Sequence, residues 1–204
     1  MFQKKNDPSA KISPVFSHID RARKDGSDIK IILDDDTYLI VMGRSNQYLS
    51  STDNLERFIH QDIWKDIRVS SAEAFHFEQN HPEKRDLAEL LWHLAYHQSA
   101  GGLLPGCRRD DVIKLIQWPN FTRLPKSPES HRIAALFSRR ATSIVLASRI
   151  LDVAETELHQ FYSASMYAGY MNKVNRAMTV QTEPRSSQEL SIVRKLMRRL
   201  ARAS

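Results

Sequence analysis

The chain has little of what enzymes use to build reactive loops and metal centres. Among its 204 residues there is one cysteine, Cys107. An intramolecular disulfide is therefore excluded, and so is a zinc site made from several thiolates. A lone thiol fits a reducing compartment, and the expected location is cytoplasmic. There are six glycines. None of them falls in Gly-x-Gly-x-x-Gly, Gly-x-x-x-x-Gly-Lys-Ser/Thr or Gly-x-Ser-x-Gly, which leaves no dinucleotide or phosphate cradle and no nucleophile elbow. No run approaches the ~20 apolar residues that span a bilayer. The N-terminus, MFQKKNDPSAK, carries charge without the apolar stretch of a secretory signal. What remains is 41% apolar and 26% charged, enough to bury a core and too apolar for a wholly disordered chain. No cofactor is expected.

The formal net charge is +6. Residues 185–204 hold six bases (Arg185, Arg194, Lys195, Arg198, Arg199 and Arg202) against one acid, Glu189, a net +5. The preceding 184 residues therefore sum to +1. The basicity belongs to the tail, and the body lacks the broad electrostatic footprint of a nucleic-acid binder.

The expected fold class is α+β, with a small α+β domain at 1–85, a mainly helical domain at 86–180 and a linker plus basic amphipathic helix at 181–204. Ser13-Pro14 reads as N-cap and first helical residue of a helix reaching about Arg23, with Val15, Phe16 and Ile19 buried. Ile29–Leu33 and Thr37–Met42, separated by Asp34-Asp35-Asp36, predict a hairpin, and Asn46–Ser50 a third strand. Three aspartates resemble a cation site, but aspartate is also a turn former, and no further carboxylate sits at calcium-loop spacing. Asp53-Asn54-Leu55-Glu56 predicts a capped helix with Leu55, Phe58, Ile59 and Ile63 on one side. Ile67–Val69 and Phe75–Phe77 read as short strands. Asp86 caps a helix over Leu87–Ser99, ended by Gly101-Gly102. Val112–Trp118 fits a strand or a helical turn, and a helix follows at His131–Arg139.

The most informative segment runs from Thr142 to Tyr162. Thr142 caps a helix over Ser143–Leu151, Asp152-Val153-Ala154 makes a tight turn, and Glu155–Ala168 forms a second helix with Gly169 as its C′ residue. Ala147 and Ser148 are small where the two helices cross. Leu151, Val153, Leu158 and Phe161 occupy the apolar positions that pack the pair. This spacing resembles the helix-turn-helix, with Asp152 where a glycine is usual. With the preceding helix, and Tyr170–Val180 as a degenerate wing, the region resembles the winged-helix units of bacterial signalling adaptors and of transcription regulators.

That resemblance implies a recognition helix whose outward residues are Glu155, Thr156, Glu157, His159, Gln160 and Ser163. Glutamates at its start repel phosphates, and Arg–guanine and Asn/Gln–adenine are the commoner base contacts. They also suit a helix N-terminus on structural grounds alone. Arg139, Arg140 and Arg149 are candidate nucleic-acid or anion contacts, as are Arg132, Lys173 and Arg176. The tail adds Arg194, Lys195, Arg198, Arg199 and Arg202 beside the seam Leu190, Val193, Met197 and Leu200. A basic amphipathic helix suits an acidic partner, a membrane surface or a phosphate backbone, and equally suits docking on its own chain.

The leading expectation is a non-catalytic bacterial regulatory or adaptor protein that binds a protein partner through the winged-helix-like domain. The alternative is a DNA-binding transcription regulator, expected as a homodimer, using the helix-turn-helix at 142–168. The third is a ligand-binding protein or an enzyme built on Cys107 or the histidines. Arg108 and Arg109 beside Cys107 would lower its pKa. The Arg108-Arg109 and Arg139-Arg140 pairs suit an anionic nucleotide or a phosphopeptide. His93 and His97 share a helix face with Glu89, and a metal there needs a further ligand such as Cys107, His76 or His81. A surface Glu89–His93 pair is the plainer expectation, and no metal site is assigned.

Overall fold

In the computed structural model, residues 13–33, 37–59, 68–71 and 83–174 are described. Helix α1 (Pro14–Asp25) starts on Ser13, whose Oγ accepts from the Val15 N–H at 3.1 Å, with Pro14 in the first turn where its missing N–H costs nothing. It ends on Gly26 at φ +63° and buries Val15, Phe16, Ile19 and Ala22. The end of α1 lies hard against the following sheet. A Cβ at Gly43 would come 2.1 Å from the Ala22 carbonyl oxygen, so only glycine allows this approach.

Strands β1 (Asp28–Ile32), β2 (Tyr38–Met42), β3 (Gln47–Ser50), β4 (Arg68–Ser71) and β5 (Arg85–Asp86) form an antiparallel sheet in the order β4-β1-β2-β3-β5. The expected hairpin is β1–β2, registered from Asp28 opposite Met42 to Ile32 opposite Tyr38. Strand alternation divides β2 between two faces. Leu39 and Val41 enter the main core, while Ile40, Met42 and Leu49 form a second small cluster.

Helix α2 (Leu87–Ser99) follows directly, capped by Asp86, whose carboxylate accepts from the Ala88 N–H at 2.9 Å. Then come β6 (Val112–Leu115), α3 (Ser130–Arg139), β7 (Thr142–Ser143), α4 (Ile144–Leu151), α5 (Glu155–Ala168) and β8 (Met171–Lys173). The three strands make a second antiparallel sheet in the order β7-β6-β8. The architecture is α+β with antiparallel sheets. Trp92 of α2 is fully buried, meets Phe121, Phe161 and Tyr170, and donates its indole N–H to the Pro125 carbonyl at 3.0 Å. A fully buried phenylalanine such as Phe137 or Phe161 stabilises by about 1.5–3 kcal/mol, so this ring cluster is a principal source of stability. The main apolar cluster runs from Val15 to Met171 across the 85/86 boundary, where β5 pairs with β3 and Phe16 meets Tyr167 edge-on at 5.1 Å.

Several expectations change in detail. The helix after Asp53 is a short 3-10 turn, Leu55–Phe58, with no side-chain cap from Asn54. Its buried residues, Leu55 and Phe58, lie three apart, which fits three residues per turn. Helix α2 stops one residue before the glycine pair, with Ala100 itself at φ +44°. Ser143, not Thr142, caps α4, because Thr142-Ser143 pairs with β6. Val112–Trp118 resolves as a strand over its first four residues, since Ile113 and Leu115 alternate inward. Of the segment Tyr170–Val180, residues Met171–Lys173 form strand β8, and 175–180 lie outside the described residues. The acidic run Asp34–Asp36, residues Ile63 and Ile67, the segment Phe75–Phe77 expected as a strand, and the tail lie outside the described residues.

Candidate functional site

The α4–α5 pair is built as its spacing predicts. Asp152 takes φ +53° and ψ +50°, the left-handed conformation that the turn demands. Ser148 Oγ donates to the Val153 carbonyl at 2.7 Å, and the Val153 N–H donates to the Ser148 carbonyl at 3.3 Å. Arg132 of α3 donates to the Leu151 carbonyl at 2.7 Å and pairs with Glu129. Its guanidinium thereby serves one of the free carbonyls at the end of α4. Ala147, Val153, Leu158 and Phe161 are buried, and Gly169 at φ +79° closes α5.

The outward face expected of α5 is not open. The Arg109 guanidinium grips Glu155 at both carboxylate oxygens, at 2.6 and 2.5 Å, and holds its carboxyl below the usual range. Glu157 accepts from Ser127 Oγ at 3.1 Å. His159 Nδ1 lies 3.2 Å from the Gly101 carbonyl, and Gln160 donates to the Tyr96 carbonyl at 2.9 Å. Ser163 is wholly buried, and its Oγ accepts from the Leu104 N–H at 3.1 Å. Thr156 alone of the six is exposed, and Gly101 packs against it. The end of α2 and the 99–111 loop therefore cover the helix that the spacing marks for recognition. The contacts that hold α2 on α5 are the Gln160–Tyr96 hydrogen bond and the edge-on Trp92–Phe161 ring pair, while Ser163 ties the loop.

The 99–111 loop is itself fixed. Asp111, 1% exposed, accepts from Tyr162 Oη at 2.6 Å and the Arg108 N–H at 2.9 Å, and pairs with Lys173 at 2.8 Å. Neither Asp111 nor Tyr162 carried a motif in the sequence. Cys107 sits in this loop. Burial pushes its thiol up to about 11, and the cation that acts on it is Lys173. The expected lowering by adjacent Arg108 and Arg109 is overridden, because burial of the thiol is the dominant cause and acts in the opposite direction.

The open surface lies elsewhere. Arg139 and Arg140 are exposed at the end of α3, and Arg149 is exposed on α4. Beside Arg149, Leu146 and Ile150 leave 49% and 41% of their surface in water. They share one helix face, being four residues apart. Past the end of β6, Ile116 and Trp118 are also exposed. Arg176 and the tail residues Arg194, Lys195, Arg198, Arg199 and Arg202 lie outside the described residues.

The histidines do face each other, ring to ring at 6.5 Å. His93 Nε2 lies 3.2 Å from the Arg123 carbonyl and His97 pairs with Glu56 at 3.2 Å, while burial lowers the pKa of both imidazoles. The expected surface Glu89–His93 pair is replaced. Glu89 is buried and is held by Arg85, four residues before it, and by the remote Arg123. Among the described residues no group of three or more His, Cys, Asp or Glu is placed to hold a metal ion. No helix among them is long and apolar enough to cross a membrane.

Searches against models of protein families, curated proteins and solved structures found no match to this chain.

Proposed function

We propose that this chain is a non-catalytic regulatory or adaptor protein whose unit from β6 to β8 is a winged-helix-like module turned toward a protein partner. The single observation that carries the reading is the covered face of α5. Its Glu155, His159, Gln160 and Ser163 are engaged by Arg109, Gly101, Tyr96 and Leu104 of the same chain. A helix that reads bases presents its first residues to the major groove. Here Glu155 and Glu157 of the first turn are held by internal bonds, and Thr156 alone stays exposed. The α4 face, with Leu146, Arg149 and Ile150, is the open alternative, and an apolar centre beside an arginine suits a protein contact. The basic tail extends the reading to an acidic partner or a membrane surface. A cytoplasmic location fits the reduced thiol chemistry.

A second reading is favoured by Arg139 and Arg140. Both are exposed, and the geometry gives their side chains no partner among the described residues. They suit phosphate contacts of a DNA-binding regulator. Salt dependence separates the two. Binding of the full chain to random duplex DNA is measured against salt, beside a variant with Arg194, Lys195, Arg198, Arg199 and Arg202 all changed to Gln. Each phosphate contact gives a slope of about −0.9 in log K against log salt. The adaptor reading expects the variant to lose the DNA affinity. A variant that still binds with a slope of several contacts overturns it in favour of the regulator.

A further inference from the structure

The chain divides by charge after Cys107. Residues 1–107 hold thirteen bases and sixteen acids, a net −3, and residues 108–174 hold ten bases and six acids, a net +4. Most acids of the second stretch are engaged. Asp111 is held by Lys173, Glu129 by Arg132, Glu155 by Arg109 and Glu157 by Ser127. Lys114, Arg139 and Arg140 are exposed, and their side chains have no partner among the described residues. These three cations carry most of the surplus at the surface.

The same cations border an open apolar surface. In the β7-β6-β8 sheet, Ile113, Leu115, Thr142 and Met171 are buried against the helices. Strand alternation therefore turns Lys114, Ile116, Asn172 and Val174 to the outer side. All four are exposed, Ile116 at 58% and Val174 at 42%. Lys114 stands between them, opposite Asn172. Past Ile116, Trp118 meets Phe121 edge-on and keeps 51% of its surface in water. Strand β7 is antiparallel to β6, with Thr142 opposite Ile113. The chain that enters β7 through Arg139 and Arg140 thus runs beside the end of β6 that carries Leu115 and Ile116. Asp110, the acid nearest in sequence, precedes the opposite end of β6.

We infer that the outer face of this sheet docks an acidic segment of a partner protein, its apolar side chains on Ile116 and Trp118 and its carboxylates toward Lys114 and Arg140. The inference rests on the adaptor reading and adds to it a surface and the chemistry of the partner. Charge complementarity selects the occupant. The tail carries +5, and a second copy docked by the same face would bring the same cations, so both are repelled. A nucleic-acid backbone would satisfy the cations and leave Ile116 and Val174 without an apolar partner. Exposed tryptophan and arginine are the side chains that most often carry protein interfaces.

The test is selection from a displayed library of random short peptides on the full-length protein, followed by titration of the enriched peptides. The expected peptides carry several Asp or Glu interleaved with Leu, Ile or Phe, and they bind more weakly as salt is raised. Ile116→Ser and Lys114→Glu should each weaken such a peptide at least ~tenfold, with melting temperatures close to the parent's because both residues are exposed. Leu146→Ser, on the open face of α4, should leave binding unchanged. No enrichment, enrichment without acidic residues, or equal binding to Ile116→Ser overturns the inference. Binding lost in Leu146→Ser but kept in Ile116→Ser also overturns it, while leaving the adaptor reading intact. Two further outcomes give the face to another occupant and sink the inference. One is a dimer in sedimentation that Ile116→Ser dissolves. The other is peptide binding that appears only once Leu190, Val193, Met197 and Leu200 are changed to Ser, which assigns the face to the tail. Random duplex DNA that loses affinity in Lys114→Glu, with no peptide selected, overturns both this inference and the adaptor reading.

Discussion

Helices α4 and α5 are joined by a three-residue turn and share one spacing pattern, yet they meet opposite environments. Helix α5 has seven buried residues over its fourteen, including two serines, and packs between α2, α3, α4 and β8. Helix α4 has two buried residues, Ile144 and Ala147, over its eight. A helix-turn-helix spacing specifies how two helices cross, through Ala147, Val153, Leu158 and Phe161. It does not specify which outer face the rest of the chain will cover. In this molecule the cover falls on the helix that usually faces outward, and the open face belongs to its neighbour.

The largest test of this contrast is truncation of one apolar residue on each helix. Phe161 is 1% exposed and contacts Trp92, Phe121 and Phe137. Phe161→Ala should cost about 3–5 kcal/mol, as a cavity inside a close-packed ring cluster. Ile150 is 41% exposed, and Ile150→Ala should fall within about 0.5 kcal/mol of the parent. Urea unfolding followed by tryptophan fluorescence measures both. Similar losses at the two sites would mean that α4 is covered as deeply as α5.

A narrower test concerns the approach of the 99–111 loop to α5. Gly101 has φ +84°, and a Cβ there would lie 3.2 Å from the Thr156 Cβ. Gly101→Ala should cost about 1–2 kcal/mol from the left-handed backbone alone, with some added crowding. Gly106, at φ +85° with nothing near its missing Cβ, is the matched control that carries the backbone cost without the crowding. Thermal melts that fall further for Gly101→Ala than for Gly106→Ala confirm the close contact, and equal falls remove it.

The legible parts of the sequence were the local ones. Ser13-Pro14, Asp86, Gly26, Asp152 and Gly169 act through their own backbone or their nearest neighbours, so each marks its helix end directly. The β-branched and apolar runs Ile29–Leu33 and Thr37–Met42, split by three aspartates, likewise mark the hairpin. The features that define the site are non-local. Arg109 meets Glu155 across 46 residues, Gln160 meets Tyr96 across 64, and Trp92 meets Pro125 across 33. Periodicity carries no information about such pairs. Glu89 shows the limit plainly. Its spacing to His93 suggests a surface pair, but its partner Arg123 arrives from a loop that only the tertiary fold brings near.

The smallest expected effect is also the most specific to the covered face. The Arg109–Glu155 pair is bidentate, but its arginine side chain is 60% exposed, so solvent screens it. A double-mutant cycle with Arg109→Gln and Glu155→Gln should give a coupling of at most about 1 kcal/mol. Its pH dependence fixes the origin. The folded carboxyl of Glu155 is held below its usual value of 4.5 by Arg109. A depressed carboxylate contributes stability that is fully present above its unfolded pKa and is lost as pH falls through the folded one. The coupling should therefore be constant from neutral pH down to about 5 and fade below that. It should also shrink as salt is raised. A coupling that persists unchanged in acid would come from packing of the two side chains rather than from charge. Arg109 would then hold the loop over α5 by the apolar stem of its side chain, and Arg109→Met would replace it without loss.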